Sequence, residues 1–176
     1  MLTDAEKNII QRSWRLVVPI AETAADLFYR RLFELQPGYQ KYFKGDMPSQ
    51  KRKLVAMLAF IVKSLDWPEA AWRQDVAEED DLFLVVLALG RRHSELYAIP
   101  DASYATVGEA LLWTLDQGLG KAFDAPTKAA WTKVYGLLAT TMKMGRLSVA
   151  PRTQGDSLVR KDVPPFVTAA REPLSY

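Results

Sequence analysis

His93 is the one histidine in this chain, which has no cysteine. It falls in a segment with helical periodicity, residues 82–97. Apolar residues lie eleven, seven and four positions before it and three after it, namely Leu82, Val86, Leu89 and Leu96. These offsets place the imidazole on the apolar face of the predicted helix. A histidine at such a position is more often a core residue than a ligand.

The scarcity of histidine and cysteine restricts the metal sites that the chain could build. Structural and catalytic zinc sites need three or four protein ligands. A single histidine can still provide one axial ligand when a macrocycle provides the other four nitrogens. His93 therefore fits haem better than it fits a bare metal ion.

Three further residues have side chains suited to a binding pocket. Gln50 precedes an apolar stripe formed by Leu54, Met57, Leu58, Ile61 and Leu65. A buried amide needs hydrogen-bond partners, but Gln50 could equally be a helix-end residue that faces water. Tyr29 lies within a predicted helix, where a core tyrosine commonly donates to a carbonyl group. Phe43 lies in an irregular segment, where its ring would ordinarily plug the core.

Composition excludes several classes of function. The chain has 176 residues, a net charge of +2 at pH 7 and no long block of basic residues, which gives no case for binding nucleic acid. No apolar run reaches the roughly 18–20 residues that span a bilayer, and the N-terminus does not resemble a signal peptide, so a cytoplasmic protein is expected. Without cysteine there is no thiolate catalysis or iron–sulfur cluster. Ser94 is not part of a nucleophile elbow.

The periodicity predicts an all-α protein. Thr3 and Glu6 form a capping box at the first helix. Further helices are predicted over about 20–35, 49–66, 82–97, 101–119 and 126–145. Alternation with period two is missing, as are the Asn-Gly and Asp-Gly turns of hairpins. The predicted domain covers 1–146.

The last segment, 147–176, differs from the rest in having four prolines and few apolar residues. This composition predicts an extended tail that is disordered in solution. Docking of its aromatic residues on the domain is the alternative.

Several short motifs occur in a distinctive order and spacing. The C-terminal half contains LGRRH at 89–93, VGEALL at 107–112 and AAWTKVYG at 129–136. The N-terminal half contains the aromatic pairs at 28–29 and 32–33, then Pro37, Phe43, Gln50 and Leu54. From about Leu2 to Gly145 the chain resembles the single-domain globins, especially bacterial globins related to flavohaemoglobin haem domains, and it is similar to vertebrate neuroglobin.

The resemblance implies a globin fold, a 3-on-3 helical sandwich, that binds haem b (iron protoporphyrin IX). In that family His93 would be the axial iron ligand and Phe43 would stack on the haem. Tyr29 and Gln50 would point into the distal pocket, with Leu54 over the gas ligand. The proximal side and the haem rim would be lined by Leu89, Leu96, Ile99, Tyr104, Val107, Leu111, Tyr135 and Leu138.

The last helix departs from the flavohaemoglobin pattern. In flavohaemoglobins a glutamate on this helix joins a proximal network of tyrosine and histidine. Here the last carboxylate before Gly145 is Asp124, and the corresponding turn carries Lys143 and Arg146. The incomplete network puts peroxidase-like chemistry in doubt.

The resemblance implies that the chain binds O₂, and also NO or CO. A phenol and an amide that both donate to O₂ stabilise it by about 1 kcal/mol each, so tight binding and slow release are expected. The alternatives are a nitric oxide dioxygenase that uses a separate reductase, and a gas sensor. A helical binding module without a cofactor is the alternative outside the family.

Overall fold

The computed structural model describes the backbone of residues 2–43, 45–65, 82–97 and 100–147, and their side chains apart from those at 82–84, 94–97, 146 and 147. Six α-helices cover most of these residues: α1 (Asp4–Val17), α2 (Ala21–Leu35), α3 (Met47–Ser64), α4 (Leu82–Tyr97), α5 (Ala102–Leu119) and α6 (Ala125–Leu147). Short 3₁₀ helices cover Val18–Ile20, Pro37–Tyr42 and Gly120–Ala122. The all-α prediction is confirmed for the described part of the chain. Of the predicted tail only Leu147 is described, as the last residue of α6, and 148–176 lie outside the described residues.

The first helix begins as its sequence predicts. The Thr3 hydroxyl accepts a hydrogen bond from the Glu6 N–H at 3.2 Å, and the Glu6 carboxylate accepts from the Thr3 N–H at 2.7 Å. This reciprocal pair satisfies two N–H groups that a helix N-terminus leaves without partners. Pro19 then lies in a 3₁₀ turn, where its missing N–H interrupts the ladder between α1 and α2.

The third helix begins two residues earlier than the sequence pattern predicted. Asp46 is its N-cap, and the Asp46 carboxylate accepts a hydrogen bond from the Ser49 N–H at 3.1 Å. Pro48 then falls in the first turn, where a missing N–H costs nothing. The helix ends at Ser64, and Asp66, the predicted end, lies outside the described residues.

The core joins the first helix to the last. Trp131 of α6 is 1% exposed, and its ring lies 6.4 Å from that of Trp14 on α1. The Trp131 indole N–H donates to the Ser13 hydroxyl at 2.9 Å, and that hydroxyl donates to the carbonyl groups of Ile9 and Ile10. Every polar atom of this buried contact is therefore paired, as a low-dielectric interior requires.

The remaining helices complete the core around this pair. Helix α2 packs on α3 and α5, and α4 packs chiefly on α6. None of the described helices has the combination of length and apolar character that a membrane-spanning segment needs.

A surface ion pair between α1 and α6 makes stability depend on pH. Lys133 Nζ donates to both carboxylate oxygens of Glu6, at 2.9 and 2.8 Å. These bonds, with those from Thr3, lower the pKa of Glu6 from about 4.5 to about 2. A carboxylate whose pKa is lowered by folding stabilises the fold above its unfolded-state pKa, and this contribution is lost as pH falls.

Glu6→Gln, which keeps the capping geometry, should reduce the free energy of unfolding at pH 7. The difference from wild type should shrink as pH falls from about 4.5 towards about 2. Urea titrations at pH 7, 5 and 3.5 measure it. Asp4→Asn is the control, because Asp4 makes one ion pair, with Lys7 at 3.5 Å, and is 95% exposed. A difference for Glu6→Gln that stays constant with pH would contradict the assignment.

Candidate functional site

His93 lies on α4 with its imidazole fixed by its own helix. Nδ1 lies 2.8 Å from the carbonyl oxygen of Leu89, one turn earlier. A carbonyl oxygen can only accept, so Nδ1 carries the proton in this bond and the ring lone pair is on Nε2. Burial, and then the positive charge of Arg92, lower the pKa of His93, although the Leu89 bond opposes them. The side chain is therefore a neutral imidazole.

This arrangement is compatible with metal binding by the histidine. A metal-ligating histidine typically donates its second ring N–H to a carbonyl or carboxylate group, which fixes the tautomer. Among the described residues no cluster of three or more His, Asp or Glu side chains could hold a metal ion. The donor chemistry thus fits an axial ligand to a metal whose other ligands come from a macrocycle.

Tyr29 of α2 lies within a cluster of aromatic rings. Its ring centroid is 5.1 Å from that of Phe28, 6.0 Å from that of Phe33 and 5.3 Å from that of Phe43. Phe33 and Phe43 are also in contact, at 5.5 Å. Both pairs that involve Phe43 are edge-to-face, and such pairs stabilise by about 0.5–1.5 kcal/mol each beyond burial. They attach Phe43, which follows the Pro37–Tyr42 helix, to the face of α2.

The Tyr29 hydroxyl reaches the first turn of α3. It donates to the main-chain carbonyl of Gln50 at 3.3 Å, beyond the usual 2.5–3.0 Å of an O–H···O bond. Burial raises the pKa of Tyr29 to about 12, so its proton stays in place at neutral pH. The sequence indicated that Tyr29 and Gln50 share a site, and the structure brings them into contact. It does so through the Gln50 main chain.

Two contacts stabilise the first turn of α3 near α2, and the sequence reasoning missed both. Asp46 caps the helix that carries Gln50, and Lys51 forms an ion pair with Asp26 of α2. The aspartate three residues before Ser49 was the signal for the cap. The ion pair joins residues 25 positions apart, which no local pattern reveals.

Leu54 follows Gln50 by one turn and packs, partly buried, against the core. It lines a small apolar cavity together with Phe28, Leu58 and Leu111. Leu54 thus faces the apolar interior where α2, α3 and α5 meet.

The predicted proximal residues form a second group, on α5 and α6. Tyr104 and Leu111 are buried, and Val107, Tyr135 and Leu138 pack against the same core while partly exposed. Leu89 is half-buried on α4. The side chain of Leu96, and Ile99 as a whole, lie outside the described residues.

Tyr135 connects α6 to the start of α5. Its hydroxyl donates to the Tyr104 carbonyl at 2.5 Å, and burial raises its pKa. The ring packs closely against Gly108, where an added Cβ would fall 2.5 Å from ring atom Cε1. Only a glycine leaves room for the ring at this distance. The phenol proton of Tyr135 is thus directed to a main-chain carbonyl.

Comparison with known proteins assigns the family. Residues 26–142 match the family model described as Globin. The chain is 29% identical over 152 residues to neuroglobin of Danio rerio, and 30% identical over 151 residues to neuroglobin of Chaenocephalus aceratus. Neuroglobin-2 of Oncorhynchus mykiss is 28% identical. Each alignment covers 82% of this chain and 92% of the relative.

These matches confirm two expectations from the sequence, the globin fold and the similarity to neuroglobin. The family binds diatomic gases through haem, and Tyr29, Gln50 and His93 all fall within the matched range. The chain belongs to the globin family.

Proposed function

We propose that this globin binds haem b through Nε2 of His93 and retains O₂ tightly. The observation that carries the proposal is the Tyr29 hydroxyl, which stays protonated at neutral pH and donates to the Gln50 main chain. Haem supplies four nitrogen ligands and an iron atom with a position for a diatomic gas. The bond from Nδ1 to Leu89 supports the assignment of His93, because it orients the ring and places the lone pair on Nε2.

Tyr29 and Gln50 would retain O₂ by donating hydrogen bonds to it. The 3.3 Å bond to the Gln50 carbonyl is weak, so the phenol can turn to a better acceptor at little cost. The half-buried Gln50 amide supplies a second N–H donor. Each bond would stabilise bound O₂ by about 1 kcal/mol or somewhat more in a dry pocket.

The proximal residues support binding rather than peroxidase chemistry. A proximal tyrosine could polarise the axial histidine only if its hydroxyl were directed there. The Tyr135 hydroxyl is instead committed to the Tyr104 carbonyl at 2.5 Å. Tyr135 therefore braces α5 against α6, and His93 keeps the Leu89 carbonyl as its hydrogen-bond acceptor.

The proposal is tested by measuring O₂ release from the reduced, haem-loaded protein by stopped flow with CO as the competing gas. Slow release that accelerates in Tyr29→Phe supports it. Catalytic consumption of NO with an added reductase would indicate the dioxygenase alternative. Fast release by wild type that Tyr29→Phe leaves unchanged would overturn the proposal.

The rate at which the oxygenated protein oxidises should depend only weakly on pH. Tyr29, with a pKa of about 12, and Gln50, which does not titrate, both stay uncharged between pH 7 and 5. The rate of loss of the oxygenated spectrum should therefore rise shallowly over this range. Gln50→His is the matched variant, because histidine titrates near pH 6.5 and should add a steep rise. A steep rise near pH 6 in wild type would contradict the proposal.

A further inference from the structure

The backbones of α4 and α6 touch at two points, one helical turn apart. A Cβ added to Gly90 of α4 would fall on the main-chain carbonyl of Met142, and one added to Gly145 of α6 would fall on that of Leu87. From Gly90 back to Leu87 along α4, the contacted residue changes from Met142 forward to Gly145 along α6. The two helices therefore run antiparallel here. Both glycines are buried. Close Cα–H···O contacts of this kind recur where helices pack without intervening side chains.

Other glycines in the described helices lack this relation. A Cβ on Gly136 of α6 would meet nothing within 4 Å, and one on Gly118 would meet only the end of the Ile20 side chain, at 3.2 Å. The flexible end of the Ile20 side chain can move away from an added methyl group, whereas a helix backbone cannot. At positions 90 and 145 any side chain must therefore move α4 and α6 apart.

His93 moves with α4. At 100° per residue its side chain points about 60° around the helix from Gly90, which faces α6. About half of any shift of α4 away from α6 therefore lies along the direction of the imidazole and draws it back. The Nδ1–Leu89 bond ties the ring to the same helix, so the ring cannot stay behind.

We infer that Gly90 and Gly145 are positioning residues for His93. By allowing the two backbones to touch, they set how far the imidazole reaches towards the iron. The inference rests on the proposed function, because it assigns these glycines a role in haem ligation. It predicts that a methyl group at either position weakens the iron–imidazole bond without removing any residue that contacts the haem.

The test compares Gly145→Ala with Gly136→Ala in the haem-loaded, reduced protein. Both changes add one methyl group to α6 and leave the sequence of α4 intact. The iron–imidazole stretching band in resonance Raman spectra should move to lower frequency in Gly145→Ala and stay at the wild-type value in Gly136→Ala. Gly90→Ala should shift the band in the same direction. The double variant should shift it by less than the sum, since one methyl group already opens the gap.

The outcomes separate this inference from the proposed function. If wild type shows no iron–imidazole band, both fail. If wild type shows the band and folded Gly145→Ala shows it unchanged, only the positioning role is overturned. Should Gly145→Ala not fold, proton NMR of the CO-bound wild type decides. A nuclear Overhauser contact between the α-protons of Gly90 and Met142 supports the inference, and its absence overturns it.

Discussion

Tyr29→Phe is expected to speed O₂ release about tenfold, because the loss of one donor bond to a charged or strongly polar acceptor amounts to about 1.4 kcal/mol. The ring stays, and with it the contacts to Phe28, Phe33 and Phe43. The substitution therefore removes the hydroxyl with little change in shape. Stopped-flow measurement of the dissociation rate constant shows the effect directly.

Two variants make this result specific. Tyr39→Phe removes a hydroxyl from the Pro37–Tyr42 helix, where the ring of Tyr39 contacts that of Tyr42, and it should leave the rate unchanged. Gln50→Leu removes the second donor, so the double variant with Tyr29→Phe should release O₂ up to about a hundredfold faster than wild type. Equal rates for Tyr29→Phe and wild type would show that the phenol does not reach the gas.

The largest effect on stability is expected at Trp131. Trp131→Ala should lower the free energy of unfolding by about 3–5 kcal/mol, because the residue is 1% exposed and its removal leaves a large cavity between α1 and α6. Such a loss is a large part of the 5–15 kcal/mol that usually stabilises a domain. Ser13 keeps its bonds to the Ile9 and Ile10 carbonyls, so the cavity dominates the loss.

Trp113→Ala is the matched control for this prediction. Trp113 is half-buried on α5, with the Arg31 guanidinium 5.4 Å from the centre of its ring. A cation–π contact at a partly exposed site contributes about 0.5–1 kcal/mol, and less apolar surface is lost there. Urea unfolding should therefore show a clearly smaller change. Equal losses for the two variants would contradict the assignment of Trp131 to the centre of the core.

The helices could be predicted from sequence because their signals are local. The capping box at Thr3 and the apolar periodicity of residues 82–97 placed the start of α1 and both ends of α4. The start of α3 was missed by two residues because Asp46, its N-cap, lies before a proline that itself resembles a helix start. Helix boundaries depend on such single hydrogen bonds, which periodicity does not register.

The site was harder to predict because its geometry depends on contacts between distant segments. The order of Tyr29, Phe43, Gln50 and His93 suggested the candidate residues through a resemblance, and nothing local showed that Tyr29 would meet the Gln50 main chain. The backbone contact between Gly90 and Met142 joins residues 52 positions apart. A glycine within a helical pattern can indicate a close packing contact, but only the fold shows which residue it contacts.

The central claim is that His93 holds haem, and absorption spectroscopy of the apoprotein titrated with haemin tests it most directly. Wild type should take up one haem per chain and develop a sharp Soret band. His93→Gly should lose or shift this band, and added imidazole should restore it by filling the vacated ligand position. The same Soret band in wild type and His93→Gly, unaffected by imidazole, would contradict the claim.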